Sequence, residues 1–332
     1  MDLIVSHMSS VDFWRHAYPP HKELKPPPTS PQLADELAVN DADVWSLAPS
    51  WVTPEFLEPE GGVLHVLARE GASRRTARHH VAHQWSGPIP NGGLYSFGNG
   101  AYVCSPSFAF LQMARTVNPY ELVAYGCELC GRYAFDKRAE RGFHMRKTPL
   151  ATMEQLRQLV QDAPGTRGRT KALWALARII EGSASPRETY VALLLTLPYR
   201  DGGYGLPRMK MNQRIDLSPA SAALCGKRNV YIDLCYPDAN LAIEYLGEHD
   251  HANGAAMRAD RGRTFALEED GYKVIEITAE QVNDIVTFEA IALRIAAQIG
   301  KTVKPAGRGA TEARMELRRL LTRWSKSDGR PM

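Results

Sequence analysis

The stretch from Arg228 to Thr278 limits the fold more than any other part of the chain, because a very short turn joins two strand-like runs there. Arg228–Cys235 is rich in β-branched and aromatic residues, and Leu241–Tyr245 is a second short apolar run. Between them, Pro237–Asn240 has the residue types that favour tight turns. The pattern therefore predicts a β-hairpin.

A helix and a third strand are predicted directly after this hairpin. The segment 257–270 can be helical, and Gly271 can end it, because glycine readily adopts the left-handed conformation that often follows a helix. Lys273–Thr278 then alternates apolar and polar residues as a strand does. Elsewhere we predict helices over 105–115, 119–129, 152–161, 170–180 and 183–197, a strand over 208–215, a turn-rich gap over 218–226 and a helix over 288–299. This alternation is typical of an α/β protein with a mixed sheet between helices.

Two acids face each other across the predicted hairpin. If the turn is centred between Asp238 and Ala239, Asp233 lies directly opposite Glu244, with Cβ atoms roughly 5 Å apart. Strand alternation then directs four apolar side chains to the other face, into a core: Ile232, Leu234, Ile243 and Tyr245. Carboxylates this close favour a shared proton or a bound cation, and oxygen ligands suit Mg²⁺ or Mn²⁺. A solvated face with two ordinary acids is the alternative.

Residues near this pair are of the types that metal-assisted phosphodiester hydrolysis requires. They comprise Glu188 in the predicted helix 183–197, His249 and His251 after the second strand, and Arg258, Arg261 and Arg263 in the next helix. Acids can hold a metal ion, histidines can move protons and arginines can bind phosphate. We therefore expect this part of the chain to carry a site for phosphodiester chemistry.

The same residues resemble those of the PD-(D/E)XK nuclease superfamily, and within it the very-short-patch-repair (Vsr-like) endonuclease branch. The resemblance covers about residues 183 to 299 and rests on Asp233, Glu244, Gly247 and His251, followed by Arg-Ala-Asp-Arg at 258–261 and Gly-Tyr-Lys-Val-Ile at 271–275. It implies a mixed-sheet, restriction-endonuclease-like core flanked by helices. It also implies a DNA endonuclease that uses Mg²⁺ or Mn²⁺, in DNA repair or phage defence.

Site roles follow from the resemblance, residue by residue. Glu188 matches the glutamate of the helix before the core, Asp233 and Glu244 match the metal-binding acids, and His251 matches the histidine after the glycine. Leu246 is a departure, because the superfamily pattern has lysine two residues after the second acid. Leucine cannot orient a water or bind a metal, so catalysis would need a substitute: His251, His249 or a displaced lysine such as Lys273.

A nuclease-fold protein that no longer cuts is the second hypothesis, and Leu246 favours it. Such a protein would bind DNA or a protein partner as a regulator in a toxin–antitoxin or abortive-infection system. The order of elements, with an accessory part before the nuclease-like part, is also similar to that of larger bacterial proteins related to AbiEi-type antitoxins. This second likeness implies no role for any single residue. Metal binding would separate the two hypotheses, because an inactive site need not hold Mn²⁺.

The charge distribution indicates a polyanionic partner such as DNA. From Lys301 onward there are nine Lys and Arg residues against three acids, so this tail carries +6, which leaves −3 for the rest of a chain whose total is +3. A basic segment on a near-neutral body is typical of proteins that bind polyanions, although a solvated basic helix gives the same pattern. We predict a last helix over 310–325 that docks through its apolar side with its arginines outward. Arg318 and Arg319 then join Arg258, Arg261 and Arg263 as candidate phosphate contacts.

Cysteine usage and hydropathy predict a cytoplasmic protein with no membrane span. Five scattered cysteines are an odd number, no run reaches ~18 apolar residues, and the start of the chain lacks the pattern of a signal peptide. Cys127 and Cys130 form a CxxC without a second pair at zinc spacing, so we interpret them as two buried thiols at a helix end. A homodimer or a protein partner remains open.

The amino-terminal half is predicted to form a small sheet with helices. Strands are expected over 63–68, 93–97 and 101–105, and residues 1–16 as a short helix or cap. Ser73–Trp85 could be a basic helix that reads DNA or a turn followed by a strand, and we favour a strand over His79–Trp85. The histidines of this strand could bind metal, but polar surface is the more usual role.

Four segments are expected in all. Residues 1–30 would be an amino-terminal segment with a proline-rich linker, and 31–165 a smaller α+β accessory domain that begins with a helix over 31–39. Residues 166–302 would be the nuclease-like domain, and 303–332 a basic helical tail.

Overall fold

The structure, a computed structural model, describes residues 2–16, 24–25, 27, 31, 33, 63–69, 80–98, 100–247, 254–303 and 308–326, with only the backbone at 254–260, 308 and 326. The predicted proline-rich linker and the predicted helix over 31–39 fall almost wholly outside these residues. In the described parts, helices alternate with strands, and two of the three sheets contain both parallel and antiparallel pairs. The predicted mixed α/β class is therefore confirmed.

A five-stranded sheet lies in the amino-terminal half. Its strands are β1 (Leu3–Val5), β2 (Leu64–Arg69), β3 (His80–Trp85), β4 (Leu94–Gly98) and β5 (Ala101–Cys104), in the order β3-β2-β1-β5-β4. The central β1 pairs antiparallel with β2 and parallel with β5. The three predicted strands are confirmed, and β3 confirms the strand interpretation of residues 80–85. The start of the chain is a strand followed by helix α1 (His7–His16), whereas we expected only a helix or cap.

Five helices surround this sheet and lead to the second half. After α1, these are α2 (Pro106–Met113), α3 (Pro119–Leu129), α4 (Met153–Gln161) and α5 (Arg169–Leu176). Ser105, Asn118 and Thr152 cap the amino-terminal ends of α2, α3 and α4, because each side-chain oxygen accepts a hydrogen bond from a backbone N–H of the first turn. The predicted helices are confirmed, with ends that differ by a few residues.

A short hairpin between α3 and α4 was not predicted. It consists of β6 (Tyr133–Phe135) and β7 (Phe143–Met145), which pair antiparallel. Strands of three residues are too short to show an alternating pattern, so the sequence alone gave no indication of them.

The predicted hairpin lies at the centre of a four-stranded sheet in the carboxyl-terminal half. The strands are β8 (Lys210–Asp216), β9 (Asn229–Tyr236), β10 (Leu241–Leu246) and β11 (Lys273–Thr278), in the order β11-β10-β9-β8. Ile243 pairs with Leu234, which is the register that the predicted hairpin requires, and the regular pairing of β9 with β10 ends there, one residue before Asp233 and Glu244. Strand β11 runs parallel to β10, because helix α8 (Gly254–Glu269) crosses over between them.

Strand alternation fails at Asp233, and this corrects one prediction. The pairs between β8 and β9 run from Met211–Leu234 to Gln213–Ile232, and Asn212 with Asp233 drops out of the ladder. Asn212 has a φ of 46°, a left-handed conformation that asparagine adopts more easily than most residues. As a result, Ile232 packs in a different core cluster from Leu234 and Ile243, so these side chains do not share one face as we expected.

Helices on both sides of this sheet position the remaining elements. They are α6 (Pro186–Thr196), α7 (Pro219–Cys225), α8, α9 (Ala279–Asn283), α10 (Ile285–Gln298) and α11 (Arg308–Lys326). The prediction of a turn-rich gap over 218–226 is wrong, because Ser218 caps α7 by accepting a hydrogen bond from the N–H of Ser221 at 3.2 Å. Small residues such as those of α7 gave no apolar periodicity from which a helix could be predicted.

Helix α11 docks on the core as predicted, but two of its arginines point inward. Arg314 lies 3.1 Å from the carboxylate of Glu289 and 4.1 Å from the ring centroid of Tyr204. Arg318 donates a hydrogen bond to the carbonyl of Val282 at 2.6 Å. The expectation that all these arginines face outward is therefore wrong, since carboxylate, carbonyl and aromatic partners in the core take up both charges.

Side chains from both halves form one large core cluster. It includes Ile4 near the start of the chain, Leu156 on α4, Ile243 on β10 and Trp324 on α11. The division into four segments therefore stays a prediction, although packed side chains cross the predicted boundary after residue 165. None of the described helices combines the length and the apolar character that crossing a membrane requires.

Candidate active site

A cleft of about 460 Å³ lies between the β6–β7 hairpin, the start of α6 and the strands β8 to β10. Acidic, basic and apolar side chains line it together. The lining residues are Arg141, Phe143, Met145, Ala184, Ser185, Arg187, Glu188, Asn212, Asp233, Tyr245 and Gly247. Two of the predicted site acids, Glu188 and Asp233, therefore reach the same cleft.

Glu188 lies in the first turn of α6, where Ser185 caps the helix. Its Oε2 accepts hydrogen bonds from the N–H of Ala184 and from Nδ2 of Asn212, both at 2.8 Å. Burial raises the pKa of Glu188 to about 7, and the neighbouring Asp233 carboxylate adds to the effect despite these hydrogen bonds. Glu188 can therefore exchange a proton near neutral pH.

Asp233 lies between the two other acids at the irregular point of β9. Its Oδ2 accepts a hydrogen bond from the N–H of Tyr245 at 2.9 Å, which links the acid to β10. The Asp233 carboxylate raises the pKa of both Glu188 and Glu244. Asn212, the neighbour on β8, bridges from Glu188 to the carbonyl of Gly182 at 3.0 Å. The left-handed backbone conformation of Asn212 thus accompanies an arrangement in which the Asn212 amide and the Asp233 carboxylate line one cleft.

Glu244 is buried beneath α8 and does not line the cleft. Burial and the Asp233 carboxylate raise its pKa well above the usual range, while the guanidinium of Arg263 opposes this shift. Arg263 donates hydrogen bonds to Oε2 of Glu244 and to the carbonyl of Tyr231. Oε1 of Glu244 is buried and finds no hydrogen-bond partner among the described residues. A cation could therefore still bind to this carboxylate.

Two arginines that we did not predict line the same cleft. Arg141 lies in the turn of the β6–β7 hairpin, and Arg187 precedes Glu188 on α6. Nη1 of Arg187 is buried and has no hydrogen-bond partner in the part of the chain that the structure describes. The position of Arg187 next to Glu188 was a usable indication, whereas nothing in the sequence tied Arg141 or Asn212 to the acids.

Other predicted residues lie elsewhere or outside the described residues. Lys273 pairs with Leu241 at the far end of β10, is exposed and donates to Gln298 at 2.6 Å, so the structure does not bring it to the acids. Arg261 is exposed on α8. His249, His251 and the side chain of Arg258 lie outside the described residues.

The tail arginines also differ from each other. Arg318 is buried, so its predicted contact with phosphate does not fit its position. Arg319 is exposed and pairs with Glu316 at 2.7 Å, and its contact with nucleic acid stays a prediction. The two neighbours therefore have different environments on the same helix.

The acids suit a divalent cation in their donor chemistry, but the described residues do not form a complete ligand set. In the described ranges, no group of three or more His, Cys, Asp and Glu side chains is arranged to hold a metal ion. Asp233 and Glu244 offer carboxylate oxygens, and the unpartnered Oε1 of Glu244 is compatible with an ion. These two acids supply oxygen atoms of the kind that Mg²⁺ or Mn²⁺ binds, while Arg263 occupies one of them.

Histidines and cysteines elsewhere have structural environments. Nδ1 of His65 lies 2.7 Å from Nε2 of His83, whose ring stacks on His7 with centroids 3.6 Å apart. Burial and the neighbouring His65 lower the pKa of His83 to about 3, so the ring is neutral. His80 is buried rather than on a polar surface, which corrects the favoured interpretation for that residue.

All five cysteines are free, and only Cys225 on α7 is partly exposed. Cys127 and Cys130 are buried at the end of α3, as we predicted for the CxxC. Burial raises the pKa of the Cys127 thiol to about 12 and that of Cys235 to about 11, so neither is a nucleophile near neutral pH.

No protein-family model matches the chain, and no curated protein or solved structure shows significant similarity to it.

Proposed function

We propose that the chain is a metal-dependent endonuclease-like phosphodiesterase that acts on nucleic acid at this cleft. The observation that carries the proposal is the convergence of Glu188, Asp233 and Glu244 from a helix and two adjacent strands. Asp233 lies between two acids and raises the pKa of both. Strongly perturbed carboxylates in a cleft are typical of catalytic and metal-binding sites.

Asp233 and Glu244 are the residues that would hold Mg²⁺ or Mn²⁺ in this proposal. When bound, a divalent ion supplies charge neutralisation at a phosphoryl oxygen and lowers the pKa of a water. The N–H of Tyr245 fixes the orientation of Asp233 through the bond at 2.9 Å. Arg263 has to release Oε2 of Glu244, and this release would be coupled to movement of α8.

Glu188 and the two cleft arginines would act directly on the substrate. With a pKa of about 7, Glu188 can accept a proton from a water or give one to the leaving oxygen. Hydrogen bonds from Ala184 and Asn212 hold the carboxylate in one orientation. Arg187 and Arg141 line the cleft and can bind phosphate oxygens.

The mechanism needs a basic group in place of the lysine that the superfamily pattern has at the position of Leu246. Leu246 cannot replace the lysine of the superfamily pattern. His249 and His251 follow Gly247, which lines the cleft, by two and four residues. We propose these histidines as the proton-transfer groups, and Arg261, Arg258 and Arg319 as phosphate contacts outside the cleft. The proposal includes a restriction-endonuclease-like, Vsr-like core around β8 to β11, with the first half as an accessory domain.

A plasmid-nicking assay with Mg²⁺ or Mn²⁺ tests this function. We expect the wild type to cut and Asp233→Asn and Glu244→Gln each to lose at least about a hundredfold in rate, since each removes a metal ligand. Glu276→Gln is the matched control, because Glu276 pairs with Glu244 across β10 and β11 but is exposed. Equal rates for all four proteins would show that the cleavage does not depend on Asp233 or Glu244 and would contradict the proposal.

An inactive nuclease-fold protein is the second candidate, favoured by the ion pair between Arg263 and Glu244 together with Leu246. Such a protein would bind DNA or a protein partner, for example as a regulator in a toxin–antitoxin or phage-defence system. Calorimetric titration with Mn²⁺ separates the candidates. Binding that Asp233→Asn abolishes supports the nuclease, whereas salt-dependent DNA binding without any Mn²⁺ binding or cleavage supports the regulator.

A further inference from the structure

The β6–β7 hairpin gives the cleft an apolar wall. Phe143 and Met145 line the cleft beside Arg141, on the same hairpin. The side chain of Met145 is 57 % exposed, and Phe143 is half-buried with its ring edge-on to Tyr133 at 6.1 Å. Hydrolysis of a phosphate ester does not need apolar side chains. The wall therefore indicates what else of the substrate enters the cleft.

Hydrogen bonds attach this wall to the helix that carries Glu188. The hydroxyl of Tyr133 lies 3.1 Å from Oγ1 of Thr189, the residue directly after Glu188. The N–H of Arg132 donates to the carbonyl of Ser183 at 2.6 Å, just before α6. One bond reaches α6 itself, and the other reaches the segment that leads into it. These bonds connect the apolar wall to the element that carries the acid, which is the kind of support that a binding site requires.

We propose that this wall stacks against the base of an unpaired nucleotide, so that the substrate class is single-stranded or locally unpaired nucleic acid. The inference rests on the proposed function and names its substrate. The π-face of any base stacks on an aromatic side chain, while cations hold the backbone phosphate. Arg141 and Arg187 supply the cations, and Phe143 with Met145 supplies the apolar contact.

The size of the cleft supports an unpaired nucleotide over a duplex. A volume of about 460 Å³ is in the range of pockets that enclose a small organic ligand. A double helix keeps its bases stacked inside and cannot offer a base face to a wall beside the acids. An unpaired nucleotide can place its phosphate near the arginines and its base on Phe143. Recognition would be tolerant of sequence, because stacking does not read base edges.

Fluorescence anisotropy with a labelled 20-nucleotide strand and the matching duplex tests the inference, with Ca²⁺ in place of Mg²⁺ to prevent cleavage. Both forms are offered as DNA and as RNA, and the inference requires a preference for the unpaired form in at least one of them. We expect Phe143→Ala to weaken single-strand binding about 5- to 100-fold and to leave duplex binding unchanged. Phe265→Ala is the matched control, because Phe265 is exposed on α8 outside the cleft lining.

Two further variants keep the test decisive if Phe143→Ala disturbs the hairpin. Met145→Ser changes a largely exposed side chain and should still weaken single-strand binding. Arg141→Gln should lower the slope of log affinity against log salt by about 0.7, while Arg138→Gln in the same turn should not.

Failure of the inference and failure of the proposed function give different results. Equal affinity for strand and duplex, with no effect of Phe143→Ala or Met145→Ser, overturns the inference even if the protein cuts plasmid DNA. Single-strand binding that depends on Phe143, in a protein that cuts neither plasmid DNA nor the unlabelled single strands when Mg²⁺ or Mn²⁺ is present, supports the inference and overturns the hydrolytic function.

Discussion

Two buried groups of charged side chains differ in how their charges are balanced. Beneath the five-stranded sheet, Nε and Nη2 of Arg15 donate to the two carboxylate oxygens of Glu128 at 2.8 and 2.7 Å, and Asp12 lies 3.4 Å from Nη1. Burial disfavours the charged form of Arg15, but Glu128 outweighs it and raises the pKa of the guanidinium. At the cleft, by contrast, acids lie close to other acids: the Asp233 carboxylate and burial raise the pKa of both Glu188 and Glu244, and Arg263 pairs with Glu244.

The difference separates a structural ion pair from a candidate functional site. The charges of Arg15 and Glu128 satisfy each other, so this group has no need of a ligand. The cleft acids are destabilised by each other and by burial, so a proton or a metal ion would stabilise them. A sequence shows acids and bases alike in both places, and only the geometry distinguishes them.

Removing one member of the buried pair should have the largest effect on stability. We expect Glu128→Ala to lower the free energy of unfolding by about 3–5 kcal/mol, because Arg15 would remain buried without its partner. Urea denaturation followed by circular dichroism measures the loss. Glu154→Gln, an exposed acid on α4, is the control and should change little. A loss for Glu128→Ala as small as that of the control would show that Arg15 is not held as described.

Removing the charge of Glu188 from the cleft should have the opposite effect and raise the free energy of unfolding above about pH 4.5. The raised pKa of Glu188, about 7 against an ordinary 4.5, means that folding disfavours the ionised form. The wild type therefore loses stability as the pH rises from about 4.5 to about 7, by an amount on the order of 3 kcal/mol. Glu188→Gln does not titrate there, so we expect it to be more stable than the wild type at pH 8 and similar at pH 4.

Urea denaturation in EDTA across this pH range measures the effect of Glu188→Gln without any metal ion. The free energies of unfolding of the wild type and the variant should differ only above about pH 4.5. If Glu188→Gln lowers stability at pH 8 instead, the carboxylate is a satisfied structural group like Glu128, and the comparison between the two regions fails.

Arg263→Gln should give the smallest change of the three. Arg263 is partly exposed, and its loss removes hydrogen bonds to Glu244 and Tyr231. We expect a loss of about 1–2 kcal/mol for an ionised Glu244 and a loss that becomes smaller as the pH falls, because the raised pKa favours protonation of Glu244 and the neutral acid needs the cation less. Arg261→Gln, an exposed neighbour on α8, is the control in the same urea titrations.

The sequence was sufficient to predict the register that brings Asp233 opposite Glu244. A short turn with strong turn residues allows few pairings, and the strands on either side are regular where they meet. Helix caps were equally local, which is why α2, α3, α4 and α6 begin close to the predicted positions. Glu188 and Asp233, which the resemblance named as site residues, line the same cleft, and their catalytic role stays a proposal.

Features that depend on distant contacts could not be predicted. The left-handed conformation of Asn212 breaks the alternation of β9, and a single asparagine in a strand does not indicate this. Arg318 and Arg319 are adjacent and alike in sequence, yet only Arg318 finds Phe288 and the carbonyl of Val282 in the core. The strands β6 and β7 are too short to show a periodic pattern in the sequence. The apolar wall that they form, and with it the proposed binding of an unpaired nucleotide, could therefore not be predicted.

The uneven burial of the thiols turns Cys225 into a native attachment point for a spectroscopic probe. Four cysteines are buried, whereas Cys225 is partly exposed on α7. This helix packs closely on α8, since a Cβ atom at Gly262 would lie 3.2 Å from the carbonyl oxygen of Leu224. A maleimide dye on Cys225 therefore sits beside the helix that covers Glu244. Its emission would show in real time whether α8 moves relative to the acid when Mn²⁺ is added, without any engineered cysteine.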